Sequence, residues 1–154
     1  MGKIISRDKL AKIIRTLQKK HKKVAFTNGC FDILHTGHIR LFKKSKSYGD
    51  YLVVALNTDS STRRLKGKHK PIVPQNERAE IISAIQYVDY VTFFDEDTPE
   101  QILRQLKPDI LVKGADYTFT NIVGHDFIKK IIRFPVIRGK STTNIVNKIL
   151  SIGK

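Results

Sequence analysis

Residues 51–56 form a continuous apolar run, Tyr-Leu-Val-Val-Ala-Leu, which is followed directly by three polar residues. A strand without polar alternation is typical of a parallel sheet that is covered on both faces. Similar short runs recur, with helical stretches between them, at 23–26, 88–94, 110–112 and 134–137. Strands that alternate with helices predict a doubly wound α/β fold, with a five-stranded parallel sheet and helices on both faces.

The segments between these strands carry helix signals. Ser6 can cap a first helix, in which apolar residues recur at helical spacing. Thr98 and Pro99 are typical of a helix start, and Pro108 predicts that this helix ends before it. Other segments are predicted as a helix over 39–48, a basic loop over 60–75, a helix over 77–86 and a final helix opening at 141–143. The expected fold is therefore Rossmann-like.

Length and charge narrow the class of protein. The 154 residues are expected to form one domain, with an N-terminal helical segment at 1–22 and a core at 23–150. The net charge of +15 favours anionic partners such as nucleotides and phosphorylated sugars. The sequence has no recognisable nucleic-acid-binding motif, so nucleic acid is not the expected partner. Cys30 is the single cysteine, which excludes an internal disulfide. Without an apolar stretch of roughly 20 residues or a signal peptide, the chain is expected to be cytoplasmic and to have no membrane partner.

Residues 27–38, Thr-Asn-Gly-Cys-Phe-Asp-Ile-Leu-His-Thr-Gly-His, join a predicted strand to a predicted helix. Such a turn presents backbone N–H groups and the positive end of a helix to an anion. His35 and His38 flank Gly37, where imidazoles can donate hydrogen bonds to phosphate oxygens and stabilise developing charge. Gly37 also leaves room for a nucleotide close to the backbone. The segment therefore predicts a phosphate-binding site, and we refer to it as the phosphate loop.

Other polar clusters directly follow predicted strands, at 57–59, 113–117 and 138–143. Ligands of parallel α/β sheets bind at the carboxyl ends of the strands, so these clusters and the phosphate loop are expected to share one crevice. Lys66, in the predicted basic loop, can reach a transferring phosphate as a mobile point charge.

The His-x-Gly-His of the phosphate loop, preceded by Gly-Cys-Phe-Asp, resembles the signature of the HIGH-type nucleotidyltransferases. From about residue 22 to residue 150, the chain resembles the adenylyltransferase domain that forms ADP-heptose. The further blocks that carry this resemblance are 56–67, Arg78, 88–91, 94–99, 108–117 and 139–144. The related glycerol-3-phosphate cytidylyltransferases have an arginine where this chain has Val136, which favours the heptose branch.

The resemblance implies transfer of AMP from ATP to D-glycero-β-D-manno-heptose 1-phosphate, a sugar 1-phosphate, with release of pyrophosphate. It also implies a homodimer, and Mg²⁺ that is bound mainly through the phosphates rather than by a protein metal site. CTP in place of ATP, and another phosphorylated acceptor such as glycerol 3-phosphate or FMN, stay open as alternatives. From a different class of protein, a basic nucleic-acid-binding module is the remaining alternative.

The site residues follow from the motif and the resemblance together. The expected catalytic residues are His35, His38 and Lys66. The residues expected to bind the nucleotide are Asn28, Gly29, Cys30, Phe31, His35, Gly37, His38, Gly114, Ser141, Thr142 and Thr143. The residues expected to bind the acceptor are Asp32, Asn57, Asp59, Arg78, Lys113 and Asp116.

Overall fold

The structure, a computed structural model, describes residues 1–114, 121–135 and 141–152. Its strands are β1 (Lys3–Ile4), β2 (Val24–Gly29), β3 (Tyr51–Asn57), β4 (Tyr90–Phe94), β5 (Ile110–Gly114) and β6 (Lys130–Phe134). Its helices are α1 (Arg7–Lys19), α2 (Thr36–Lys46), α3 (Asp59–Lys66), α4 (Gln75–Ser83), α5 (Glu100–Leu106) and α6 (Thr142–Ile152). Within these ranges, the strands form one parallel sheet in the order β1-β4-β3-β2-β5-β6.

The sheet is covered on both faces, as the apolar runs predicted. Leu10 and Ile14 of α1 pack with α5 against one face, together with alternate strand residues such as Phe26. Phe42 of α2 packs with α4 against the other face, together with the intervening strand residues such as Val54. Every residue of β3 after Tyr51 is buried, which explains why this strand shows no polar alternation.

The strand order reverses between β2 and β5. From β2 the chain continues through β3 to β4 on one side, whereas β5 and β6 lie on the other side. In β2, Phe26 is paired with both Val53 of β3 and Leu111 of β5. The carboxyl end of β2, which leads into the phosphate loop, therefore lies at the point where open α/β sheets bind their ligands.

The strand predictions need two corrections. The sheet has six strands rather than five, because β1 pairs with β4 through only two residues, Lys3 and Ile4, and is too short for a periodic signal. In the described ranges the last strand is Lys130–Phe134, which begins before the predicted 134–137, and residues 136 and 137 lie outside those ranges. It is the edge strand beside β5, and its exposed Lys130 and Arg133 interrupt the apolar run that was expected of a buried strand.

The helix predictions also need correction. The first part of the predicted basic loop at 60–75 is a helix, α3, which Thr58 caps by accepting a hydrogen bond from the Ser61 N–H. Its buried residues are the small polar side chains Ser61 and Thr62, so apolar periodicity does not reveal it. The α5 helix starts at Glu100 with Pro99 in the cap position, and neither α1 nor α5 has a side-chain cap bond. None of the helices in the described ranges is long and apolar enough to cross a membrane.

Candidate functional site

The phosphate loop joins a strand to a helix, as predicted, but β2 extends to Gly29 and α2 already begins at Thr36, so both elements reach into the predicted loop. His35 occupies the N-cap position, and its Nδ1 accepts a hydrogen bond from the Gly37 N–H at 3.1 Å. A ring nitrogen that accepts is unprotonated, so the neutral ring carries its proton on Nε2. The first turn of α2 thereby fixes His35 as an N–H donor beside the positive end of the helix.

His38 packs one turn further along α2. Its ring is stacked on that of His35, with centroids 3.8 Å apart, and stands edge-on to Phe31 at 5.1 Å. Burial, with the electrostatic interaction with His35 as the smaller cause, lowers the pKa of His38 to about 4. The imidazole is consequently neutral at physiological pH, and it can donate a hydrogen bond without carrying a full positive charge.

Phe31 shapes the loop around His38. Its backbone lies in the left-handed region at φ 46°, and its ring packs edge-on against Phe42 at 5.1 Å. A Cβ atom on Gly29 would come within 3.2 Å of the Phe31 ring, so the glycine lets the ring fold back over the end of β2. Gly29 and Phe31 thus stabilise the conformation of the loop on the side of His38 where the Phe31 ring packs.

The residues around His38 enclose a cavity of about 370 Å³. It is lined by residues of the phosphate loop, α2, α3, the following turn and the start of α6, namely Cys30, Phe31, Asp32, His38, Thr62, Lys66, Lys70, Thr142 and Thr143. The start of α6 is fixed to the phosphate loop by a 3.2 Å hydrogen bond from Thr142 Oγ1 to the Ile33 carbonyl. Ser141 Oγ caps α6 by accepting from the Asn144 N–H at 3.1 Å. Two helix starts, those of α2 and α6, therefore meet at one cavity.

A larger cavity, of about 770 Å³, lies at the opposite end of the sheet among residues such as Lys107, Phe127 and Lys129. It contains none of the predicted site residues. The smaller cavity is the better candidate site, because it combines the phosphate loop with helix starts and mobile cations.

Lys66 lies at the C-terminal end of α3 and faces the cavity, as the prediction of a phosphate-binding lysine required. The sequence interpretation missed two other lining residues, Thr62 and Lys70. The Nζ atom of Lys70 lies 3.7 Å from Asp32 Oδ2. No local signal distinguished Lys70 from the other cations of this basic segment, since its placement depends on contacts between distant segments.

Asp32 is buried beside the cavity. Its Oδ1 accepts hydrogen bonds from the Ile72 and Val73 N–H groups at 2.8 and 2.9 Å. Its Oδ2 has no hydrogen-bond partner in the described part of the chain and lies among the cavity-lining atoms near Lys70. One oxygen of Asp32 thus supports the fold, and the other is buried with the Lys70 ammonium as its nearest charge.

The structure places Asn57, Asp59 and Arg78, which were predicted to contact the acceptor, outside the lining of the cavity. The Arg78 side chain is fully buried and pairs with Asp59 Oδ1 at 2.7 Å. Asn57 is also buried, and its Nδ2 donates to Ser61 Oγ at 2.9 Å. None of the three lines the cavity, so they support its wall from behind. The sequence showed polar residues at a strand end, but it did not show that these residues form hydrogen bonds and an ion pair with other protein groups.

The two strand ends at the switch point are linked by side chains. Lys113 Nζ, on β5, donates to Asn28 Oδ1, on β2, at 3.0 Å. Gly114 is the last residue of β5. Asp116 and Val136 lie outside the described residues. Of the remaining nucleotide-binding residues predicted, Cys30, Phe31, Thr142 and Thr143 line the cavity directly.

The side chains around the cavity fit a magnesium ion that is bound through the phosphates of the nucleotide rather than by a cluster of protein ligands. In the part of the chain that the structure describes, no group of three or more His, Cys, Asp or Glu side chains is placed to hold a metal. Asp32 Oδ2 is buried and lies near Lys70 Nζ, so it is not exposed for ligation of Mg²⁺. An Mg²⁺ ion held by triphosphate oxygens and water would need no such set of protein ligands.

The chain is similar to known proteins over most of its length. The profile of the Cytidylyltransferase-like family matches residues 26–146. The Bifunctional protein HldE of Geobacter metallireducens is 49% identical over 153 residues, which cover 97% of this chain and 31% of that protein. The Campylobacter fetus protein of the same name is 50% identical over 147 residues, covering 96% of this chain and 31% of that protein. The chain thus spans about a third of the length of the curated relatives it matches.

Solved structures agree with the fold. The lipopolysaccharide core biosynthesis protein of Thermoplasma volcanium superposes with a TM-score of 0.64 at 34% identity, covering 75% of this chain and 98% of that one. The pantoate-beta-alanine ligase of Francisella tularensis has a TM-score of 0.67 at 21% identity over 98% of this chain and 78% of its own, a likeness that shows the fold alone. Because the family profile and relatives near 50% identity cover most of its residues, the chain belongs to the cytidylyltransferase-like family of nucleotidyltransferases.

Proposed function

We propose that this chain transfers AMP from ATP to D-glycero-β-D-manno-heptose 1-phosphate, giving ADP-heptose and pyrophosphate. The observation that carries the proposal is the cavity that brings His38, Lys66 and Thr142 together at the carboxyl end of β2. The sequence blocks that resemble the ADP-heptose-forming domain, and the matches to HldE proteins over nearly all of this chain, support this acceptor and this base.

The cavity suits a triphosphate. The starts of α2 and α6 offer backbone N–H groups and positive dipole ends to phosphate oxygens. Thr142 and Thr143 add hydroxyl groups at the start of α6, and Lys66 and Lys70 add positive charge from the opposite wall. The Asp32 carboxylate lies beside Lys70 and would keep this part of the wall from being uniformly positive.

In the proposed reaction, an oxygen of the acceptor phosphate attacks the α-phosphorus in line. A new P–O bond forms, the bond from the α-phosphorus to the bridging oxygen breaks, and pyrophosphate leaves with the electron pair. The attacking phosphate is already anionic, so no general base is needed. His35 and His38 donate hydrogen bonds to oxygens whose negative charge grows in the transition state, and Lys66 moves with the departing phosphates.

Mg²⁺, bound with ATP, would neutralise charge on the pyrophosphate. The expected homodimer and the expected cytoplasmic location are part of the same proposal. Light scattering of the purified chain would test for the dimer.

The decisive experiment is a screen for pyrophosphate release. Each of the four nucleoside triphosphates is combined, with Mg²⁺, with a panel of sugar and polyol phosphates that includes heptose 1-phosphate, in both anomers, and glycerol 3-phosphate. We expect the highest kcat/KM for ATP with the β-anomer of heptose 1-phosphate. Faster turnover of CTP with glycerol 3-phosphate would move the chain to the cytidylyltransferase branch.

Nucleic-acid binding is the control for the alternative class. A phosphate-binding enzyme with a basic surface should bind oligonucleotides weakly, and this binding should collapse between low and physiological salt because counterion release alone drives it. A nucleic-acid-binding module would be supported by two results together. No combination of nucleoside triphosphate and acceptor would release pyrophosphate, and the chain would bind oligonucleotides sequence-selectively at physiological salt.

A further inference from the structure

Arg78 is a fully buried arginine whose side chain joins four separate segments. Nε donates to the Val73 carbonyl at 3.0 Å. Nη1 donates to the Cys30 carbonyl at 2.5 Å and to the Asn57 carbonyl at 3.0 Å. Nη2 pairs with Asp59 Oδ1 at 2.7 Å, so a carboxylate compensates the buried charge. One guanidinium therefore ties the phosphate loop, the end of β3, the start of α3 and the chain before α4.

Two of these contacts lie at the two ends of the segment that carries Lys66. Asp59 is the first residue of α3, and Val73 lies just before α4. Between them, Gly67 follows Lys66 with φ 99°, and a Cβ atom built there would meet nothing within 4 Å. The turn beside Lys66 therefore has little packing of its own.

A second buried group strengthens the same attachment. Asp32 Oδ1, in the phosphate loop, accepts hydrogen bonds from the Ile72 and Val73 N–H groups. The Val73 peptide region is consequently held by Asp32 through its N–H and by Arg78 through its carbonyl. Because Arg78 also contacts the Cys30 carbonyl, the phosphate loop and the segment from 59 to 73 are fixed to a common centre.

We propose that Arg78 is a positioning residue for Lys66, holding the segment from 59 to 73 against the phosphate loop so that Lys66 faces His38 across the cavity. This inference rests on the proposed function. Arg78 itself does not touch the substrate, since its side chain has no exposed surface. A lysine cannot replace it, because a single ammonium group cannot reach acceptors on four segments as the planar five-donor fork does.

The test is a double-mutant cycle between Arg78→Lys and Lys66→Ala. Its readout is the rate of pyrophosphate release at saturating concentrations of both substrates. If Arg78 acts through Lys66, Arg78→Lys lowers kcat about tenfold in the wild-type background and less than about twofold when Lys66 is already removed. Arg104→Lys is the matched control, since Arg104 is exposed and pairs with Glu100 on α5. That substitution should leave kcat unchanged in both backgrounds.

Amide hydrogen exchange supplies a readout that does not depend on activity. Arg78→Lys should increase exchange of the amides from 66 to 73 while those of β3 keep their protection. If Arg78→Lys does not fold, Asp59→Asn removes the paired carboxylate with little change of shape and should show the same coupling to Lys66.

The proposal would be overturned if Arg78→Lys lowered kcat by the same factor with and without Lys66. Unchanged amide hydrogen exchange at 66–73 would also overturn it. A fully active Lys66→Ala variant would instead contradict the role of Lys66 in the proposed function, and the exchange measurement would still decide whether Arg78 holds the segment.

Discussion

The imidazole rings of His35 and His38 are stacked at the start of α2, with centroids 3.8 Å apart and planes inclined by 25°. Two imidazolium ions at this distance would repel each other, and burial adds to the cost of charging His38, whose pKa falls to about 4. His38 is therefore a neutral N–H donor, and His35 donates through Nε2 because its Nδ1 accepts from the Gly37 N–H. Stabilisation of the transition state then comes from oriented donors and the helix start rather than from two full charges.

Replacing either histidine by alanine should lower kcat far more than it raises the dissociation constant of ATP. The lost donor acts on charge that grows in the transition state, and removal of one such donor reduces turnover by about 10²–10³-fold. Steady-state pyrophosphate release and equilibrium ATP binding separate the two effects. His21→Asn is the matched control, because His21 is exposed beyond α1 at φ 57°, which asparagine tolerates. A double variant of His35 and His38 with turnover near wild type would refute the mechanism.

The depressed pKa of His38 makes folding stability depend on pH. Between about pH 6.5 and the native pKa of about 4, the unfolded chain binds a proton at His38 that the folded chain excludes. Stability is thus complete above pH 6.5 and falls as the pH drops through this window. From pH 7 to pH 5 we expect His38 to cost the wild type about 2 kcal/mol.

Urea denaturation at both pH values, for the wild type and His38→Gln, tests this assignment. The difference between the two proteins should isolate His38, because the other titrating groups are common to both. An equal loss of stability in the two proteins on acidification would show that His38 titrates normally in the folded state.

The sequence predicted the parts of the fold that depend on local pattern. The apolar run at 51–56 identified a doubly covered strand, and residues 27–38 identified the phosphate loop and the start of α2. These features depend on periodicity and on a helix cap, both of which are local. The α3 helix was missed because its buried side, Ser61 and Thr62, is polar.

The part of the site that depends on distant contacts could not be predicted. Asp32 and Arg78 contact segments about 40 and 48 residues away in sequence, and no spacing rule connects such positions. A polar residue at a strand end can face a ligand or satisfy a buried partner, and Asn57 does the latter, as does Arg78 within α4. Only the three-dimensional arrangement distinguishes these roles.

Alanine substitutions of Lys66 and Lys68 should have very different effects on kcat, although both residues belong to the same basic segment. Lys66 faces the cavity, whereas Lys68 is exposed and does not line it. Lys66→Ala should lower kcat by at least tenfold, because a cation that follows the departing phosphates is lost. Lys68→Ala should change kcat less than twofold, since it removes only a screened surface charge. Equal, mild effects at 0.15 M salt would mean that the segment contributes a diffuse field and that Lys66 has no specific role.

Lys70 needs its own measurement, because it lines the cavity and also lies near Asp32. Lys70→Ala should affect turnover more than Lys68→Ala. Lys70→Ala with the mild phenotype of Lys68→Ala would show that Lys70 faces the cavity without contacting substrate.

Thr142 should control how α6 meets the triphosphate. Thr142→Val keeps the shape of the side chain but removes the hydrogen bond from Oγ1 to the Ile33 carbonyl. Loss of one such bond costs about 1 kcal/mol, which corresponds to a decrease in Tm of about 2–4 °C for a chain of this size. Because the start of α6 is then no longer held against the phosphate loop, we expect KM for ATP to rise severalfold while kcat changes less.

Ser151→Ala is the control for this last variant, since Ser151 Oγ donates to the nearby Lys148 carbonyl at the far end of the same helix. Thermal unfolding and steady-state kinetics of both variants should be compared at saturating acceptor. If Thr142→Val lowers Tm but leaves KM for ATP unchanged, the hydrogen bond stabilises the fold without placing α6 at the triphosphate. The phosphates would then be held by the phosphate loop and the start of α2 alone.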